Sequence, residues 1–302
     1  MLQWLTASGV RRTDLLARIT MAFGAAALAA SSPSTAAGGA ASEPAHVRLE
    51  VFTDHRSIGP GESFRVAIVQ HIDRGWHTYW VNPGDAGLAT QIDWTVPQGY
   101  SVGAAEWPVP AVFRAGPLVS YGYAAEVIAV QEMRAPAAFG AGTGNLSVDV
   151  KWLVCHESCI PGRATAHIAL EETPATAGAV DPAAMRRINA AWRKLPRDAP
   201  WPASLRADAT NVELVIHGAG SELGARTPVR FLPLQWGQID NAAEQVAAWT
   251  AGDLVLTLRR GDLRDAPIGT VEGLLVTTSA RAGSEGRGYR LRAAATDPPT
   301  PH

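Results

Sequence analysis

Apolar and polar residues alternate in short runs over the first half of the chain. In "HVRLEVF" Val47, Leu49 and Val51 fall on one side, and in "FRVAIVQHI" Phe64, Val66 and Ile68 do. That period of two is the signature of strands with one buried face. The turn signals "GPGE" (Gly59 to Glu62) and "NPGDAG" (Asn82 to Gly87) punctuate them, which predicts an antiparallel β-sandwich.

The period then changes. In "DPAAMRRINAAWRKLP" Asp181 can cap, Pro182 takes the first helical position, and Met185, Ile188, Ala191 and Trp192 recur at helical spacing. One helix ending before Pro196 is expected, followed by a Pro-rich linker, "RDAPWPASL". Strand patterns resume in "NVELVIHG", "VRFLPL", "DLVLTLRR" and "TVEGLLVTTS". The expected organisation is therefore a β-sandwich over 43–174, a helical linker over 175–200, a second, smaller β-domain over 201–296 and a disordered tail over 297–302.

Composition adds little to the fold but narrows the function. The chain has 302 residues, enough for two domains, and a formal net charge of -2. Nothing there attracts the chain to nucleic acid, and no nucleic-acid partner is expected. Arg11, Arg12 and Arg18 precede an apolar run from Ile19 to Ala30, and "SSPSTAAGGA" supplies cleavage sites such as Ser34-Thr35-Ala36. Residues 1–42 thus read as an export signal and linker. Arg11-Arg12 in "VRRTDLL" is a poor twin-arginine pattern, so the general secretory route is expected. No later run of about 18 apolar residues follows, which implies a soluble periplasmic protein, or one tethered only through an uncleaved signal.

Export puts the two cysteines, Cys155 and Cys159, in an oxidising space. In "NLSVDVKWLVC" Leu146, Val148, Val150, Trp152 and Val154 share one face and Cys155 belongs to the other, more polar one. From Cys159 onward, Ile160, Ala164, Ala166, Ile168 and Leu170 again take one face and Cys159 the other. On one continuous strand the two would lie roughly 13 Å apart, too far for a disulfide. If His156, Glu157 and Ser158 form a three-residue hairpin loop, the cysteines face each other at an exposed, solvent-facing tip.

Three readings of the pair stay open. A structural staple is the common one for exported proteins. Yet a ring of about five residues constrains the unfolded chain least, and a short exposed ring exchanges readily, which favours redox chemistry. Metal binding by the two thiols with His156, or with a distant His77, is weaker, because no second cysteine pair is present. No metal or other cofactor is expected. There is no Gly-x-Ser-x-Gly elbow and no metal-protease histidine pair, so hydrolytic chemistry ranks far below.

Three stretches in order, "GWHTYWVNPGDAGLATQIDW" (Gly75 to Trp94), "EWPVPAVFRAGPLVSYGYAAEVIAV" (Glu106 to Val130) and "KWLVCHESCIPGRATAHIAL" (Lys151 to Leu170), carry a resemblance. They resemble the N-terminal periplasmic domain of the thiol:disulfide interchange protein DsbD, in the form found in suppressor-of-copper-sensitivity B proteins. "FLPLQWGQIDNAAEQ" (Phe231 to Gln245) is similar to the second periplasmic β-domain of that subfamily.

The resemblance implies an immunoglobulin-like sandwich whose cysteine pair, here Cys155 and Cys159, carries electrons. A membrane thiol-reductase would be the donor. Periplasmic thioredoxin-like proteins serving disulfide isomerisation, cytochrome c maturation or copper tolerance would be the clients. His77 and Tyr79 match the aromatic strand bordering the family's active site, and Pro117 to Tyr123, with Tyr121 and Tyr123, match the loop that caps the disulfide. Trp76, Trp80, Trp94 and Trp107 are assigned to the core.

Two departures matter. The family's best-known members have more residues between the cysteines and a Phe with acidic neighbours in the cap, where this chain reads Leu118-Val119-Ser120. The chain also ends at His302 without a multi-span membrane domain or a C-terminal thioredoxin domain, so a separate electron donor is expected. Lys151, Arg163 or His156 are candidates for favouring a thiolate, against Glu157 between the cysteines. A copper-binding module using the same cysteines, and a scaffold with a structural disulfide, are the competing functions.

Overall fold

The computed structural model describes residues 46–139, 144–224, 227–250, 252–263, 267–277 and 286–295. The expected export signal and the expected tail lie outside the described residues. Among those described, no helix is long and apolar enough to cross a membrane.

Among the described residues, eleven strands precede the first described helix: β1 (Val47–Thr53), β2 (Ser57–Ile58), β3 (Ser63–Ile72), β4 (Thr78–Gly84), β5 (Gln91–Thr95), β6 (Ser101–Glu106), β7 (Ala111–Ala115), β8 (Leu118–Tyr123), β9 (Glu126–Arg134), β10 (Gly144–Cys155) and β11 (Cys159–Glu172). They form a sheet in the order β1-β3-β9-β6, a second in the order β2-β11-β10-β5 and a third in the order β4-β8-β7. Pairing is antiparallel except for the short β2, which runs parallel to β11. The fold is thus the expected all-β, immunoglobulin-like sandwich.

The alternation seen in the sequence sets the core. Val148, Val150, Trp152 and Val154 of β10 point inward to meet Ile68 of β3 and Val127 and Ala129 of β9, all buried. β3 is apolar on both faces, and the reason lies in α1 (Pro182–Trp192). Ile188 and Ala191 of α1 pack on Ala67 and Val69 of β3 and Val130 of β9, covering the outer face of that sheet. α1 begins as its sequence dictates: the Asp181 carboxylate accepts the Ala183 and Ala184 N–H groups at 2.9 and 3.1 Å, with Pro182 following.

The stretch read as a linker is partly strand: β12 (Arg197–Asp198) lies within it and β13 (Ala203–Ala207) opens at its end. The remaining elements are β14 (Asn211–Ile216), α2 (Ala219–Leu223), β15 (Val229–Pro233), β16 (Val246–Thr250), β17 (Asp253–Arg259), β18 (Thr270–Thr277) and β19 (Arg287–Ala295). They build one eight-stranded sheet in the order β15-β18-β19-β13-β14-β17-β16, with β12 also pairing β19. Its own core centres on Leu214, Phe231, Leu256 and Leu275.

The two halves share apolar surface as well. Leu232, Leu274 and Val276 of the eight-stranded sheet join the sandwich core beside Trp107 and Tyr123. Hydrogen bonds cross the same junction: Asn82 Nδ2 donates to the Pro233 carbonyl at 2.8 Å, and Arg290 meets Glu106 at 2.8 Å.

Candidate functional site

β10 and β11 pair residue for residue from Gly144↔Leu170 to Cys155↔Cys159, leaving His156, Glu157 and Ser158 as the turn. The cysteines form a disulfide with Cα atoms 4.2 Å apart. The reason they meet is ladder geometry. The backbone N–H and C=O of Cys155 point away from β11, bonding the C=O and N–H of His77 at 2.9 and 3.0 Å. Cys155 and Cys159 are therefore a non-hydrogen-bonded pair, the kind that brings opposed residues closest.

That same contact corrects one expectation. Both sulfurs were expected on a solvent-facing tip, but Cys155 is 3% exposed, while Cys159 is exposed. The start of β4 covers the open side of Cys155 through His77, a pairing with no trace in the β10 alternation. The pair is asymmetric: one sulfur is offered to partners, and the other sits behind it.

Around this disulfide the chain places an aromatic shell. His77 is half-buried, stacked on Phe113 of β7 at 4.4 Å and edge-on to Tyr79 at 5.2 Å. Burial, and then the nearby His156, hold its imidazole below the ordinary histidine pKa. Tyr79 is buried, which raises its phenol pKa. Gly87 allows this cover: at φ +106° it lies against the Tyr79 ring, where a Cβ would come within 2.2 Å of it. His156 is exposed on the tip, 5.8 Å from the Trp76 ring, and Trp76 stacks on His46 at 3.7 Å.

The other two tyrosines lie deeper. Tyr121 is fully buried, donates to Asn241 Oδ1 at 3.1 Å and has its pKa pushed up to about 12 by burial. Asn241 in turn donates to Asp85 at 2.7 Å. Tyr123 stacks on Trp107 and donates to the Pro108 carbonyl at 2.8 Å, and burial holds its phenol well above the usual range. Both hydroxyls are thus engaged, that of Tyr123 within the sandwich and that of Tyr121 across the junction to the other half. Trp80 and Trp107 are buried as assigned, whereas Trp76 and Trp94 are only partly so.

Phe113 was not singled out in the sequence, although it stacks on His77, the residue paired with Cys155. An apolar residue alternating outward in "VFRAG" was the available signal. The cations proposed to favour a thiolate are committed elsewhere. Lys151 bonds Asp93 at 3.0 Å and Arg163 bonds Asp149 at 2.6 Å, a cross-strand ladder about 13 Å along from Cys155. No cluster of three or more metal-ligating residues occurs among the described residues.

Comparisons with known proteins agree with this geometry. The family model for "Thiol:disulfide interchange protein DsbD, N-terminal" matches residues 49–170. Among solved structures, the N-terminal periplasmic domain of ScsB from Proteus mirabilis is similar at TM-score 0.60 and 19% identity, over 83% of this chain and 94% of that chain. That likeness shows the fold. The major pilin subunit BcpA of Bacillus cereus (TM-score 0.27, 8% identity, 82% and 66% covered) and a protein of unknown function from Porphyromonas gingivalis W83 (TM-score 0.23, 12% identity, 82% and 99% covered) are too distant in backbone to carry an argument. No curated protein matches the chain.

Proposed function

We propose, from the match of residues 49–170 to the family model of the N-terminal domain of the thiol:disulfide interchange protein DsbD, that the chain relays electrons in the periplasm through the Cys155–Cys159 pair. The observation that carries this is the disulfide at a hairpin tip with one sulfur exposed and its partner buried.

A donor thiolate attacks Cys159, the accessible sulfur. The Cys155–Cys159 bond breaks, its electron pair goes to Cys155, and a mixed disulfide forms at Cys159. A second donor thiol then releases the reduced pair. In the forward direction Cys159 attacks an oxidised client and Cys155 resolves the mixed disulfide. A membrane thiol-reductase is the donor under this reading. Thioredoxin-like proteins are the clients, serving disulfide reduction, cytochrome c maturation or copper tolerance. His77, Tyr79, Phe113 and His156 border the pair and set access to it.

The test is the redox equilibrium of the protein in graded glutathione buffers, read by alkylation and mass. Titration between roughly -120 and -270 mV, the range of exchange proteins, is expected. A pair that stays oxidised to below about -300 mV is a structural staple and ends this reading.

A further inference from the structure

Cys155 has two cross-strand neighbours on one face: Cys159 on β11, and His77 just before β4. Directly opposed residues of antiparallel strands project to the same side, with Cβ atoms about 4.5–5.5 Å apart. The His77 side chain is therefore directed to the same side of the sheet as that of Cys155, on the flank away from Cys159. Phe113 and Tyr79 hold the ring in place. Among the named cations of this face, Lys151 and Arg163 are bound to carboxylates, and His156 lies toward Trp76.

We propose that His77 is the proton acceptor for Cys155, making the buried sulfur competent to resolve mixed disulfides formed at Cys159. The proposal rests on the exchange reading above and deepens it. In resolution the Cys155 thiol gives its proton to the imidazole, and the thiolate attacks the Cys159 sulfur. The Cys155–Cys159 bond forms, the bond from Cys159 to the partner breaks, and the partner leaves as a thiolate that can take a proton from the imidazolium. In reduction of the pair the same steps reverse, and imidazolium protonates the departing Cys155.

The environment suits this task. Burial and His156 favour the neutral ring, which is the form that accepts a proton. The titratable groups beside it are Cys155, His156 and the Tyr79 phenol. β7 presents uncharged Phe113, and its neighbour Arg114 projects to the opposite side.

The experiment follows two phases. The reduced full chain is mixed with an aryl disulfide that liberates a coloured thiolate. The first release reports attack by Cys159, and the second reports resolution by Cys155. In the wild type the second rate should change by less than about threefold from pH 8 to pH 6. An unassisted thiol of pKa about 8.5 loses roughly tenfold per pH unit there. His77→Phe, which keeps the stack on Phe113, should slow the second release at pH 7 by about 10²-fold and restore the steep pH dependence. His77→Gln keeps a hydrogen-bond donor but accepts no proton, and should behave like His77→Phe.

A wild-type second phase that falls tenfold per pH unit overturns the proposal, and this holds even if the variants fail to fold. So does a folded variant, Phe or Gln, whose second phase matches wild type. Because these assays start from chemically reduced protein, they stand apart from the glutathione titration, whose failure removes the exchange reading itself.

Discussion

Cys155 and Cys159 differ in what can reach them, and the difference comes from one backbone pairing. His77 occupies the N–H and C=O of Cys155 and closes its open flank, while Cys159 is exposed. In the reduced protein, Cys159 should react with iodoacetamide at least about tenfold faster than Cys155, measured by mass after timed quenching. Correspondingly, Cys155→Ser should accumulate a mixed disulfide with a thioredoxin-like client, and Cys159→Ser should not. Equal alkylation rates would remove the assigned order of attack. At this scale the sequence was half legible. Strand alternation placed both cysteines off the core face of β10 and β11, and the three-residue turn placed them opposite each other. Burial of Cys155 depends on a strand about 80 residues earlier, and no local pattern encodes that contact.

Among the elements, α1 shows how local and tertiary signals divide. Asp181-Pro182 and the spacing of Ile188 and Ala191 specify the helix and its apolar face. The one-faced reading of "FRVAIVQHI" passed over where that face lands: Ala67 and Val69 make the strand apolar on its other side too, and such a strand needs cover on both. β12 and β13 were harder to see, because prolines at 200 and 202 sit between two short strands that take their order from β19. α1 is tied to β1 by Arg187, whose Nη1 and Nη2 meet Glu50 at 2.7 and 3.2 Å. Arg187, opposed by burial and joined by His71, holds Glu50 down to about 2 from an ordinary 4.5. A carboxyl lowered by folding adds stability above its ordinary pKa and loses it as pH falls through the lowered one. The urea midpoint should therefore drop between about pH 4.5 and 2, and Glu50→Gln should show a shallower drop in that window. An identical slope in the variant would mean that the solvent-screened pair contributes nothing measurable.

At the scale of the whole molecule, the two halves are joined by more than a connecting helix. Tyr121 of β8 bonds Asn241, which bonds Asp85 beside the end of β4, and Leu232, Leu274 and Val276 lie in the sandwich core next to it. Removing the middle member leaves a buried hydroxyl and a carboxylate without their shared partner. Asn241→Ala should cost about 1–3 kcal/mol in denaturant unfolding of the full chain. Fluorescence of the sandwich tryptophans and circular dichroism of the sheets should keep a common midpoint. A variant whose two signals separate would show that this network is what couples the halves. Little of this junction was readable beforehand, since Asn241 lies in a segment whose resemblance suggested a separate domain.

The position of β19 bears on how the molecule comes into being. This strand is interior to the eight-stranded sheet, bonded to β18 on one side and to β12 and β13 on the other. A chain emerging N-terminus first can pair β1 to β11 and seat α1 long before Arg287 arrives. Until it does, β18 and β13 present open edges, and such edges are templates for pairing with other chains. Biogenesis therefore includes an interval in which the later half is adhesive, and the time before β19 arrives is when this protein most needs protection from its own copies.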